Sequence, residues 1–204
     1  NYPNNPTGLS YTKNELKSIA KICKENNTLV LSDEIYSRLH HKNDHVSVSK
    51  YYPEGTIITS GLSKWCGAGG WRLGTMIIPD ELDKIKQAII NVSSETFSCV
   101  SSPIQYASVA AYQDKKYIND YLSHSRRILK VIGDYCYQEL KNAEIKLHKQ
   151  DGGFYLFPDF SNHSSNLHSK GIRTSSQFCE QLLIDTGVAL LPGSAFGRPE
   201  NEFT

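Results

Sequence analysis

The stretch "SGLSKWCGAGGWRLG", Ser60 to Gly74, sets one lysine among small residues and follows it, eight positions on, with an arginine. An amine attacks a carbonyl only when deprotonated, and lysine is the side chain that burial most readily pushes to that state. Lys64 therefore has the chemistry of a nucleophile toward a carbonyl. Gly61, Ser63, Gly67 and Gly69 leave room beside it for a bulky planar ligand, and Arg72 suits a two-pronged grip on a phosphate or carboxylate. The stretch is not a dinucleotide fingerprint. Counted as G-x-G-x-x-G from Gly67, Arg72 stands where the third glycine belongs, and the sequence holds no Walker pattern.

These residues need a frame, and the chain supplies strands alternating with helices. Thr12 to Asn26 opens with a capping box, Thr12 with Glu15 three positions on, and places Leu16, Ile19, Ala20 and Cys23 on one helical face. Apolar runs follow in "TLVLSDEIY", "TIITS" (Thr56 to Ser60) and "GTMIIP" (Gly74 to Pro79), read as strands apolar on both faces and so as a parallel sheet. A helix is expected from Asp80, with Leu82, Ile85 and Ile89 inward. A long one spans Lys115 to about Lys141, with Ile118, Tyr121, Leu122, Ile128, Ile132 and Tyr135 inward. Beyond it "EIKLH", "GGFYLFP", a helix near Ser175 to Asp185 and "GVALLPG" are expected to form a smaller α/β unit, with the polar "SNHSSNLHSKG" as a loop. Ligands of open parallel sheets bind at the carboxyl ends of strands, where Asp33 and Ser60 to Lys64 fall.

At 204 residues the chain can hold one large domain or parts of two. Its net charge of +1 is spread out, which leaves no electrostatic footprint for a nucleic acid or an anionic membrane. No apolar run reaches the roughly 18 residues of a membrane-spanning helix, and a cytoplasmic location is expected. Five scattered cysteines without a CxxC pair are expected to be buried reduced thiols, with no metal site. His40, His41 and His45 are expected in a solvated polar loop. The opening "NYPNNPTG" lacks an initiator methionine and the end "GSAFGRPENEFT" lacks a closing element, so we expect a fragment.

The lysine segment resembles that of the class I and II aminotransferases, fold type I enzymes that use pyridoxal 5'-phosphate (PLP). Two further motifs stand in that family's order, "NYPNNPTG" at the start and "SDEIY" at Ser32 to Tyr36, and weaker likeness covers nearly the whole chain. The resemblance implies a three-layer α/β fold, a mostly parallel sheet flanked by helices. Residues 1–120 would belong to the large PLP-binding domain and 121–204 to an incomplete small one, bridged by the helix at about 115–141.

It also implies roles. Lys64 would form the Schiff base and shuttle a proton; Asp33 would pair with the pyridine nitrogen; Asn5 and Tyr36 would face the cofactor's phenolic oxygen. Arg72 would bind the phosphate, with Ser60 and Ser63 as candidates to assist, because the position three before the lysine is Gly61. A cis bond is expected at Asn5-Pro6. The implied partners are an amino acid and a 2-oxo acid, and a homodimer.

Blander roles stand beside these. A lone loop lysine is ordinarily a solvated charge, Asp33 would serve as a helix cap, Arg72 as a surface ion pair, Tyr36 as packing and Asn5 as a turn. The three ordered motifs favour the PLP enzyme. Glu34 is expected to be structural, and Trp65 and Trp71 to pack. Two alternatives remain: a PLP-dependent lyase or decarboxylase on the same fold, and a transcription regulator whose aminotransferase-like domain senses PLP.

Overall fold

The capping box at Thr12 sets where the first helix begins. The Thr12 N–H donates to Glu15 Oε2 at 2.7 Å, and the Glu15 N–H returns a bond to Thr12 Oγ1 at 3.3 Å, so two donors left free at a helix start are satisfied. In the computed structural model, which describes residues 1–113 and 115–204, this helix is α1, Lys13–Glu25. It ends where Asn27 turns left-handed at φ 50°. Its inner face, Leu16 and Ala20, packs with Tyr2, Val48 and Tyr52 in a cluster flanked by Cys23, Val30, Val46 and Tyr51. Burying a leucine this way stabilises by roughly 1.5–3 kcal/mol.

Three strands form one sheet in the order β1 (Val30–Asp33), β2 (Thr56–Gly61), β3 (Gly74–Ile77). The pair β1–β2 is parallel, with Asp33 opposite Thr59. The pair β2–β3 is antiparallel, with Gly61 opposite Gly74, so the sheet is mixed and the expectation of parallel pairing fails for β3. The reason lies in residues 62–73: they contain a 3-10 turn, Gly69–Trp71, but no crossover helix, so the chain re-enters the sheet at the end it left. Within these 204 residues Leu31, Met76 and Ile77 are exposed.

Helices α2 (Asp83–Thr96), α3 (Ser102–Tyr112) and α4 (Lys116–Asn142) follow. Of the six residues expected inward on α4, only Leu122 is buried, and Tyr121, Ile128, Ile132 and Tyr135 are exposed. The chain divides into two compact units. The first holds Asn1–Asn5, Leu9–Lys130 and Asp151–Gly153, and the second Pro6–Gly8, Val131–Gln150 and Phe154–Thr204. In the first, Gly152 bridges His40, and a Cβ there would lie 2.6 Å from Pro3 Cγ, so only glycine permits the approach.

In the second unit the expected strands do not form among the described residues. Lys146 and Asp159 make a single antiparallel bridge. The polar stretch expected as a loop contains a 3-10 turn, Ser161–His163, and a short helix, α5 (Ser164–Ser169). Helix α6 (Ser175–Thr186) is capped by Thr174 and closed by Gly187 at φ 75°, a left-handed stop suited to glycine. Its core is aromatic, with Phe160 and Phe178 rings 4.7 Å apart and Phe203 buried. Among the described residues no helix is long and apolar enough to cross a membrane, and no cluster of ligands could hold a metal ion.

Candidate active site

Asp33 ends β1, and three donors meet its carboxylate. Thr59 Oγ1 and the Ile35 N–H donate to Oδ1, each at 3.3 Å, while Asn1 Nδ2 donates to Oδ2 at 2.9 Å. The parallel register explains the first contact, because Asp33 and Thr59 are paired and their side chains leave the sheet on one face. The ladder runs one step further, the Glu34 N–H donating to the Thr59 carbonyl at 2.8 Å.

Three residues past Asp33, Tyr36 sits buried at the mouth of a 3-10 turn, Ser37–Leu39. The Lys64 amine lies 5.7 Å from the centre of its ring. Lys64 is carried on the loop leaving β2, and its neighbour Trp65 is the anchor of that loop, only 1% exposed. Trp65 packs against Tyr112 with ring centres 5.7 Å apart, and the Arg38 guanidinium lies 4.5 Å above the indole. The segments carrying Tyr36 and Lys64 are thus fastened to each other by a cation-π contact.

Ser60 and Arg72 stand together. They line a cavity of about 900 Å³ together with Thr59, Trp71, Met76 and Phe97. Arg72 holds a left-handed backbone, φ 54°, and its Nη1 donates to the Gly69 carbonyl at 3.0 Å. Gly61 has no room for a side chain: a Cβ there would lie 2.7 Å from the Leu73 carbonyl oxygen. A serine at that position is therefore excluded by the antiparallel return of β3. Ser63 is half-buried on the loop, and Asn5 is held through its N–H, which donates to Asn1 Oδ1 at 2.8 Å. The structure thus joins Asp33 with Asn5 through Asn1, sets Lys64 over Tyr36, and groups Ser60 with Arg72.

Several expectations are corrected. The cis peptide is Tyr2-Pro3, not Asn5-Pro6. All five cysteines are free, but four are half-buried and Cys99 is exposed, so none is a core thiol. Trp71 is half exposed and lines the cavity. His40 and His45 are not solvated. His40 is 8% exposed and pairs with Asp44 at 2.8 Å; burial pulls its pKa below the ordinary histidine range.

His45 Nε2 meets Glu34 Oε2 at 2.9 Å, and Glu34 Oε1 accepts from Ser32 at 3.1 Å and Ser47 at 2.5 Å. Burial pushes the Glu34 carboxyl up, but bonds from His45 and Ser47 outweigh it and hold the pKa below its usual value. Tyr2 stacks on His45 at 4.9 Å, and burial, reinforced by the Glu34 charge, lifts its hydroxyl to about 12. The sequence assigns no role to Asn1 or Thr59 and places His45 in a solvated loop. Strand parity with Asp33 could have found Thr59; for His45 the polar loop carries no such signal.

The sequence profile described as aminotransferase class I and II matches residues 1–202. The chain belongs to that family. It is 39% identical over 195 residues to a probable N-acetyl-LL-diaminopimelate aminotransferase of Bacillus subtilis, covering 96% of this chain and 46% of that protein. It is 34% identical over 206 residues to an aspartate aminotransferase of Geobacillus stearothermophilus, covering 98% and 50%. Among solved structures, a double mutant of Thermus thermophilus aspartate aminotransferase superposes with a TM-score of 0.84 at 28% identity, covering 96% of this chain and 48% of that one. An aromatic aminotransferase from Pyrococcus horikoshii gives 0.85 at 29%, covering 98% and 51%. The chain spans about half the length of the curated relatives it matches. Its fold is the α/β fold of these aminotransferases, with a mixed sheet and helices.

Proposed function

We propose that this chain is the lysine-bearing portion of a PLP-dependent aminotransferase, which moves the amino group of an amino acid to a 2-oxo acid. The observation that carries this is the Lys64 amine over the Tyr36 ring, three residues beyond a carboxylate gripped only by donors. Family membership and four named or superposed aminotransferases support the same chemistry.

Bound PLP supplies an aldehyde for an amine to condense with and a ring that draws off electrons when a Cα–H bond breaks. The residues present fit that group. Asp33 still has acceptor capacity for a ring N–H after its three donors, and Lys64 presents an amine on a loop anchored by Trp65. In this reading Lys64 holds and moves the proton at the substrate's Cα. Asp33 orients the ring and favours its protonated nitrogen. Tyr36 and Asn5 donate to the phenolic oxygen, and Arg72 binds the phosphate, assisted by Ser60 or Ser63.

Residues 1–120 belong, in this proposal, to the large cofactor domain and 121–204 to the small one. The whole protein works as a cytoplasmic homodimer, the location resting on five free cysteines. In a protein of the relatives' full length, Lys64→Ala should abolish the visible absorbance of the bound cofactor and lower transamination at least about a thousandfold. Transamination undiminished in Lys64→Ala would sink the proposal.

A further inference from the structure

We infer that Asn1 is a positioning residue, one side-chain amide that holds Asp33 and Asn5 in fixed relation. Its Nδ2 donates to Asp33 Oδ2 at 2.9 Å and to the Asp33 carbonyl at 3.2 Å, while its Oδ1 accepts the Asn5 N–H at 2.8 Å. The two ends of the amide cannot be exchanged. A backbone N–H only donates, so it must face the oxygen, and a carboxylate with a carbonyl only accepts, so both must face the nitrogen.

The main chain that carries Asn1 is anchored as firmly. The Tyr2 N–H donates to the Asp33 carbonyl at 3.3 Å. The Tyr2 hydroxyl accepts the Val48 N–H at 2.7 Å and donates to the Val46 carbonyl at 3.2 Å. Its ring stacks on His45, which is bonded to Glu34, the residue after Asp33. The segment bearing the amide and the strand end it grips are therefore parts of one network.

Asn1 itself is exposed, so its bonds add little to folding. What they govern is geometry. The inference rests on the proposed function, in which Asp33 faces the ring nitrogen and Asn5 the phenolic oxygen of one rigid ring. Two partners of one ring must keep a set separation, and a side chain bridging them presets it before the ring arrives.

The test uses Asn1→Ala and Asn1→Asp in a protein of the relatives' full length, with Lys64→Ala alongside. For Asn1→Ala we expect an unchanged melting temperature of the PLP-free protein, PLP bound about tenfold more weakly, and a displaced pH midpoint of the bound cofactor's visible absorbance. For Asn1→Asp, which sets a second carboxylate against Asp33, we expect a loss of about a hundredfold in PLP affinity. Wild-type affinity and an unmoved absorbance midpoint in Asn1→Ala would overturn the inference, as would a lowered melting temperature of the PLP-free protein, the mark of a purely structural bond. Should borohydride still fix PLP covalently to Lys64→Ala, the functional proposal itself has failed; the inference alone fails when only the Asn1 variants behave as wild type.

Discussion

Helices α1 and α4 have the same kind of sequence and opposite surroundings. Both repeat apolar residues at helical spacing. In α1 that face is sealed: Leu16 is 2% exposed, within a cluster of Tyr2, Ala20, Val48 and Tyr52. In α4 Leu122 is buried while Ile128 stands 52% and Tyr135 65% exposed. Periodicity thus specifies a helix and which side of it is apolar. It does not specify what covers that side.

The contrast is open to direct attack. Leu16→Ala should cost about 2–5 kcal/mol in urea unfolding, because it leaves a cavity in a sealed cluster. The buried Tyr2 on the same side of the comparison should show itself at high pH. Its folded pKa, about 12, lies above the ordinary 10.0, so the stability due to the neutral hydroxyl is complete below pH 10 and is lost as pH rises toward 12. That amounts to about 3 kcal/mol, and Tyr2→Phe should flatten this part of an alkaline unfolding series. Ile128→Ala should change stability by no more than about 0.5 kcal/mol in the 204-residue chain. A cost near that of Leu16→Ala would show the α4 face to be covered in solution, and the comparison would collapse.

What could be read from sequence was set by short-range chemistry. The capping box at Thr12, the three strands and the helical stretches of α2, α4 and α6 follow from local pattern, and the structure places them within a few residues. The direction of β3 was missed because pairing polarity depends on how a connection travels, and residues 62–73 hold a 3-10 turn where a crossover helix would be needed. The failed strands of the second unit had the right composition, but composition cannot supply a partner to bond with. At the site, the residue types of Lys64, Asp33 and Arg72 announced themselves. Their supports did not: the Glu34 and His45 pair joins residues eleven apart through a loop whose polarity suggested solvent.

Arg72 occupies a backbone region that ordinarily suits glycine, at a cost of about 1 kcal/mol. An engineer ranking substitutions by backbone comfort would replace it, along with Ser98 and Glu144, to gain thermal tolerance. The same change would strip the guanidinium from the cavity it shares with Ser60. At this position backbone comfort and the phosphate contact proposed for Arg72 pull against each other, and campaigns to harden the protein should leave it alone.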